Sequence, residues 1–205
     1  LLPNMSRNIQ AGRLQEAKEN QEKSLEIGLI LTIPAAFGLM ILSDPIVTAL
    51  FQRGAFDTAS TSATAIALVC YSAGLPAFVI IKIFQPNFFA RHDTTTPVKI
   101  AAGSVVINLI LNLILMQYFG HAGLAMATSI AAWLSAAMFA IVLKTRNLYS
   151  PRRQLLRKII RITLAATVMG LGLVALKEFS GGFAESSRLL GICVLLLLIF
   201  CGGFI

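Results

Sequence analysis

The sequence predicts an all-α protein, a polytopic transmembrane helix bundle of six spans, and two observations carry that prediction. The chain is 57% hydrophobic and 13% charged over 205 residues, with a mean hydropathy of +0.79, more apolar than water-soluble domains of this size. Mostly apolar runs of about 18 to 22 residues also recur along it, each long enough as a helix to cross roughly 30 Å of hydrocarbon. Stretches such as ICVLLLLIF, residues 192–200, lack the in-out alternation of barrel strands. Helices also satisfy the main chain internally where lipid offers no hydrogen-bond partner.

Residues 1–24 read as the end of a preceding span followed by a cytoplasmic connector. Leu1 and Leu2 resemble a last apolar turn, and the opening LLPNMSRNIQ lacks the basic start, apolar core and cleavage site of a signal peptide. Glu19 and Lys23 stand one helical turn apart in the connector, as on a surface helix. The membrane bundle occupies 25–205, with spans near 25–43, 62–81, 98–117, 122–143, 159–176 and 188–205.

Pro34 falls in the first span, Gly74 and Pro76 in the second, and Pro86 just beyond it. Each proline removes a donor and crowds the preceding turn, so bends are expected, either as hinges or as tolerated kinks. The third span carries Asn108 and Asn112 on one face, candidate polar positions inside the bundle. In the fourth, Gly123, Ala127, Ala131 and Ser135 repeat every four residues, a small-residue seam for close helix approach. These features serve interhelical packing or line a solute pathway. The fifth and sixth spans keep ionisable residues out of their apolar cores, as lipid-facing helices or the flanks of a groove for a lipid tail would.

The net charge of +8 is unevenly placed. Assigning the connections alternately to two sides puts fourteen of the seventeen basic residues on one side, leaving Arg53, Lys177 and Arg188 on the other. The positive-inside rule makes the first side cytoplasmic. The richest cluster, Lys144 to Arg161, is an anchor on anionic membrane lipids or a specific lipid-phosphate site. The basic balance thus reflects topology, and no nucleic-acid partner is expected.

Chemistry is sparse. The chain has no phosphate-binding G-x-x-x-x-G-K-[ST] loop, no G-x-S-x-G elbow and no H-E-x-x-H zinc pair. His92 and His121 lie at loops, the acids do not cluster, and Cys70, Cys193 and Cys201 lie in apolar runs with packing as their expected role. Neither enzymatic activity nor a cofactor or metal is expected. Transport is the leading class, and a membrane scaffold without transport is the other.

Three motifs in register sharpen this. LLPNMSR supplies Pro3, Ser6 and Arg7; FQRGAFD supplies Phe51, Gly54 and Phe56; FFARHDTTTP supplies Arg91, Asp93, Thr96 and Pro97. Together they resemble the MurJ/MviN family of lipid II flippases, within the multidrug/oligosaccharidyl-lipid/polysaccharide exporter superfamily. The resemblance covers essentially the whole chain and implies the C-terminal portion of a roughly fourteen-helix exporter. It implies movement of a polyprenyl-pyrophosphate-linked peptidoglycan precursor from the inner to the outer leaflet by alternating access, in the bacterial cytoplasmic membrane, together with the N-terminal helices of the same protein. A related polysaccharide or drug exporter is the alternative within the superfamily. By the same resemblance, 159–176 and 188–205 would wall an apolar groove for the polyprenyl tail.

Arg53, in the turn between the first two spans, is either part of an interfacial turn with Phe51, Gly54, Phe56 and Asp57 or an inward-pointing substrate or gate contact. In the inner loop, Thr and Asp before Pro97 are expected to cap the third span, and Arg91 with Asp93 is expected to form a local ion pair.

Overall fold

The computed structural model describes residues 7, 11–54, 56–149 and 153–179. Its described helices are α1 (Leu14–Ile41), α2 (Ser43–Phe51), α3 (Thr58–Phe89), α4 (Thr95–Phe119), α5 (His121–Thr145) and α6 (Arg153–Phe179). The described residues contain no strand. Five helices are long and apolar enough to cross a membrane: α1, α3, α4, α5 and residues Leu155–Ala175 of α6. The architecture is that of a polytopic helical bundle, and the sixth expected span, 188–205, lies outside the described residues.

The helices outrun the apolar runs that announce them. α1 begins at Leu14, so most of the expected connector continues without a break into the first span. It is not wholly a surface segment, because Ala17 and Gln21 are buried in register with Leu25, Leu29, Ile33 and Ala36. That spacing of four, closing with three, draws one stripe along a helix of 3.6 residues per turn. Pro86, expected beyond the second span, lies inside α3 together with Pro76. Part of the connection between the first two spans is the nine-residue helix α2, which buries Ser43 and Val47; it is too short for a periodicity argument to separate from a loop.

Neighbouring helices pack in the order α6, α1, α3, α5, α4. The predicted seam is buried on α5: Gly123, Ala127, Ala131 and Ser135 are all covered. Ala77 of α3 packs against Ala132 and Ala136 of α5. Lipid tails are as apolar as the helices, so association here rests on close packing and interhelical hydrogen bonds. α4 covers α5 on one side and exposes Val105, Leu109, Ile110, Leu113 and Ile114 on the other.

One end of the bundle gathers the start of α1, the end of α3, the start of α4, the end of α5 and the start of α6, and it carries Arg91, Lys99, Lys144, Arg146, Arg157 and Lys158. This basic end has an aromatic core. The Phe88 and Phe139 rings meet edge to face with centroids 5.6 Å apart, and those of Phe84 and Tyr149 at 5.2 Å. Burial and the nearby charge of Glu22 raise the Tyr149 hydroxyl to about 12. The Lys158 ammonium bonds the Glu26 carboxylate at 2.6 Å, tying α6 to α1.

Candidate functional site

The motif turn at the opposite end is built by a capping acid and a glycine. Asp57 precedes α3 and its carboxylate accepts from the Ser60 N–H at 2.8 Å, an N-cap that satisfies an otherwise free donor. The same bond holds the Asp57 carboxyl below its ordinary value. Gly54 has φ of +59°, a conformation glycine adopts without steric strain. Phe51 and Phe56 bracket the turn with ring centroids 6.2 Å apart, and Arg53 is exposed. The acid of this motif therefore acts on the helix backbone.

The FFARHDTTTP loop at the basic end separates Arg91 from Asp93. Asp93 is a hub: its Oδ1 accepts from the Thr96 N–H at 3.0 Å and the Thr95 hydroxyl at 3.0 Å, and its Oδ2 from the Thr96 hydroxyl at 2.7 Å. Oδ2 also accepts from the Arg146 guanidinium at the end of α5. The expected capping of the third span is present in these bonds, with Pro97 in the first turn of α4, where an N–H is not needed. The Thr96 bonds, then Arg146, hold the Asp93 carboxyl well below the usual carboxylate range.

The expected Arg91–Asp93 pair does not form. Asp93 pairs instead with Arg146, whose Nη2 also donates to the Thr96 hydroxyl at 3.0 Å and whose guanidinium lies 5.9 Å from the Phe88 ring centroid. Arg91 turns the other way: its Nε donates to the Asn87 side-chain oxygen at 3.1 Å. The Asn87 amide in turn donates to the Gln21 side-chain oxygen of α1 at 2.8 Å. Burial lowers the Arg91 pKa.

The local backbone explains the divergence. Asp93 N–H bonds the Phe88 carbonyl and His92 N–H the Phe89 carbonyl, the paired bonds of a Schellman helix end, with His92 left-handed at φ +60°. α5 ends the same way, through Leu148 to Leu143 and Asn147 to Lys144, with Asn147 at φ +55°. The two helix ends stand side by side, and Asp93 and Arg146, each adjacent to the left-handed residue, close the gap between them.

The polar positions within the spans are less elaborate. The Asn108 amide donates to the Thr128 hydroxyl of α5 at 3.4 Å, and the Asn112 amide to the Asn108 oxygen at 2.9 Å. In the stretch of α3 before Pro76, the Ser129 hydroxyl donates to the Cys70 carbonyl at 2.6 Å and the Trp133 indole N–H to the Ala73 carbonyl at 3.0 Å. Of the remaining motif residues, Arg7 is exposed, Pro97 is buried, and Pro3 and Ser6 lie outside the described residues.

The sequence places Arg146 in the basic cluster without its Asp93 partner, and no motif marks Gln21, Asn87, Ser129 or Trp133. Gln21 was findable: it falls on the spacing of Ala17, Leu25 and Leu29, which places a polar residue on the buried stripe. Asn87 stands one turn before Arg91, within side-chain reach on a helix.

Comparison with known proteins bears on the whole chain. The family model for the lipid II flippase MurJ matches residues 1–193. A probable lipid II flippase MurJ of Rhizobium meliloti is 39% identical over 201 residues, covering 96% of this chain and 38% of that protein. Its counterpart in Rickettsia prowazekii is 43% identical over 138 residues, covering 67% of this chain and 27% of that protein. The lipid II flippase MurJ of Burkholderia cenocepacia is 31% identical over 169 residues, covering 82% and 33%. A solved lipid II flippase MurJ in an inward closed conformation superposes with a TM-score of 0.79 at 25% identity, over 98% of this chain and 41% of that one. The chain thus spans roughly two fifths or less of the proteins it matches, and by the extent of these matches it belongs to the MurJ family of lipid II flippases.

Proposed function

We propose that this chain is the C-terminal part of a flippase that carries a polyprenyl-pyrophosphate-linked peptidoglycan precursor, lipid II, from the inner to the outer leaflet of the bacterial cytoplasmic membrane by alternating access. The observation that carries the reading is the family match over residues 1–193, joined to a superposition along 98% of the chain. Its partners are the precursor, the N-terminal helices of the same protein and anionic membrane lipids. The basic end faces the cytoplasm, where the exposed Lys144, Arg157 and Arg161 meet anionic headgroups, and the N-terminal end of the chain lies on that side.

The physics of the task supports this division of labour. A charged pyrophosphate-sugar head does not cross hydrocarbon unaided, since ionised groups at the bilayer centre cost several kcal/mol or more. A polar path through the bundle replaces its water while the tail stays in lipid. Arg53, exposed in its turn, belongs to the outer interface together with Phe51, Gly54 and Phe56. Asn108 and Asn112 serve interhelical packing.

The test is depletion of the full-length protein in cells. Lipid II trapped in the inner leaflet with arrested wall synthesis is the expected result, whereas precursor still reaching the outer leaflet at the normal rate removes the proposal.

A further inference from the structure

We infer that Arg91 contacts a phosphate oxyanion at the basic end of the bundle, and that Gln21 and Asn87 are the positioning residues that hold its guanidinium for that contact. The inference rests on the reading of the cargo as a polyprenyl pyrophosphate. Four observations lead to it.

First, Asp93, the acid nearest to Arg91 in sequence, is committed to Thr95, Thr96 and Arg146. Among the described residues Arg91 makes no ion pair, and Nε alone of its guanidinium nitrogens has a hydrogen-bond partner. Second, that partner is a neutral amide. It fixes the plane of the guanidinium without neutralising it, and the two Nη groups form the fork that matches two oxygens of a phosphate.

Third, the holder is itself rigid: Asn87 is 2% exposed and Gln21 fully buried, on different helices, and the bond between their side chains is 2.8 Å long. Fourth, the relay is a poor structural device. The Gln21 Nε2 donor is buried with no acceptor, and a half-satisfied buried network is worse for stability than an apolar contact of the same shape. Its one charged member is Arg91, which is half-buried at the mouth of the relay. Asp93 shows the contrast: the loop satisfies that charge completely and leaves Arg91 desolvated without a counter-charge.

Phosphate oxygens at this depth come from the cargo or from bulk phospholipid headgroups, and one experiment separates them. Binding of farnesyl pyrophosphate to the full-length protein is measured in nanodiscs of phosphatidylcholine alone and of phosphatidylcholine with phosphatidylglycerol. In both, Arg91→Ala is expected to weaken binding about tenfold, as the loss of a charge-assisted hydrogen bond does. Asn87→Leu weakens binding in the same direction, and so does the paired variant Gln21→Leu/Asn87→Leu with thermal stability unchanged or raised, because it removes both partners of the buried amide bond together. Arg91→Lys, which keeps the charge and loses the Nε contact, falls between Arg91→Ala and wild type. Asn87→Leu adds nothing in the Arg91→Ala background, and Lys23→Ala, one exposed charge removed at the same end, leaves binding unchanged.

Wild-type affinity in Arg91→Ala or in Asn87→Leu overturns the inference. So does an equal loss in Lys23→Ala, which would make the effect one of bulk charge. A defect confined to phosphatidylglycerol nanodiscs also overturns it, assigning the contact to membrane lipid. Failure of the wild-type protein to bind farnesyl pyrophosphate at all removes the reading of the cargo, and this inference falls with it.

Discussion

The Asp93 carboxylate, one residue before the N-cap of α4, is bound by the guanidinium of Arg146, the residue that caps the end of α5, so the two ends of neighbouring helices are closed by one ion pair. Arg146 reaches Thr96 with its second arm and lies over Phe88, so a lysine, with a point charge in place of a planar fork, does not replace it. Arg146→Lys and Arg146→Ala are both expected to lower the melting temperature of the full-length protein, the alanine variant more. Equal melting temperatures for wild type and Arg146→Lys would show that the fork contributes nothing.

The same pair sets a pH dependence. The Asp93 carboxyl is held below its ordinary value of 3.8, so the folded state binds its proton less readily than the unfolded chain. The stabilisation is present above that ordinary value and is lost as pH falls from about 4 towards the lower folded value. Unfolding midpoints measured between pH 6 and pH 3 should therefore fall at the acid end, and fall less in Asp93→Asn. Parallel curves for the two proteins would count against the assignment.

His92 occupies a position made for glycine. At φ +60° an L side chain is strained, by about 1 kcal/mol for this conformation. His92→Gly should raise stability by up to roughly that amount, with the larger freedom of glycine in the unfolded chain offsetting part of it. Asn147→Gly should gain less, since asparagine tolerates left-handed backbone better. Thermal unfolding of the purified variants reads this directly, and a β-branched residue such as His92→Val should move the midpoint the other way.

These helix ends show where the sequence is legible. Hydrophobic runs locate α1, α3, α4 and α5 because the burial of a whole span is written in consecutive residues, and the four-residue seam on α5 predicts its buried face for the same reason. What pairs with what is not written that way. Arg91 and Asp93 are two apart in sequence and opposite in charge, yet the Schellman turn points them to different helices. Arg146 and Gln21 become their network partners only through packing of residues 50 or more positions away.

The helix around Pro76 is stapled to α5. A proline frees the carbonyl one turn before it and opens its neighbours. Ser129 and Trp133, one turn apart on α5, donate to the Cys70 and Ala73 carbonyls on that stretch. Trp133→Phe should cost about 0.6 to 1.7 kcal/mol, the range for hydrogen bonds between membrane helices. A Cβ added at Gly74 would lie 2.6 Å from the Ser129 Oγ and 3.1 Å from its Cα, so Gly74→Ala should cost roughly 1 to 3 kcal/mol by overpacking. Ser129→Gly should recover part of that loss, and no recovery would place the strain elsewhere.

Asn112 offers the opposite case, a polar group whose removal is expected to help. Its Oδ1 is buried without a donor, while its amide group bonds only Asn108, one turn earlier on the same helix. An unsatisfied buried acceptor costs about 1 to 3 kcal/mol of desolvation, and leucine fills a similar volume with nothing to satisfy. Asn112→Leu should therefore leave stability unchanged or raise it, with the transport proposed for the full-length protein retained. Asn108→Leu removes the bond to Thr128 that joins α4 to α5 and should lower stability. Lost transport in a stable Asn112→Leu protein would move this residue from packing to the transport path.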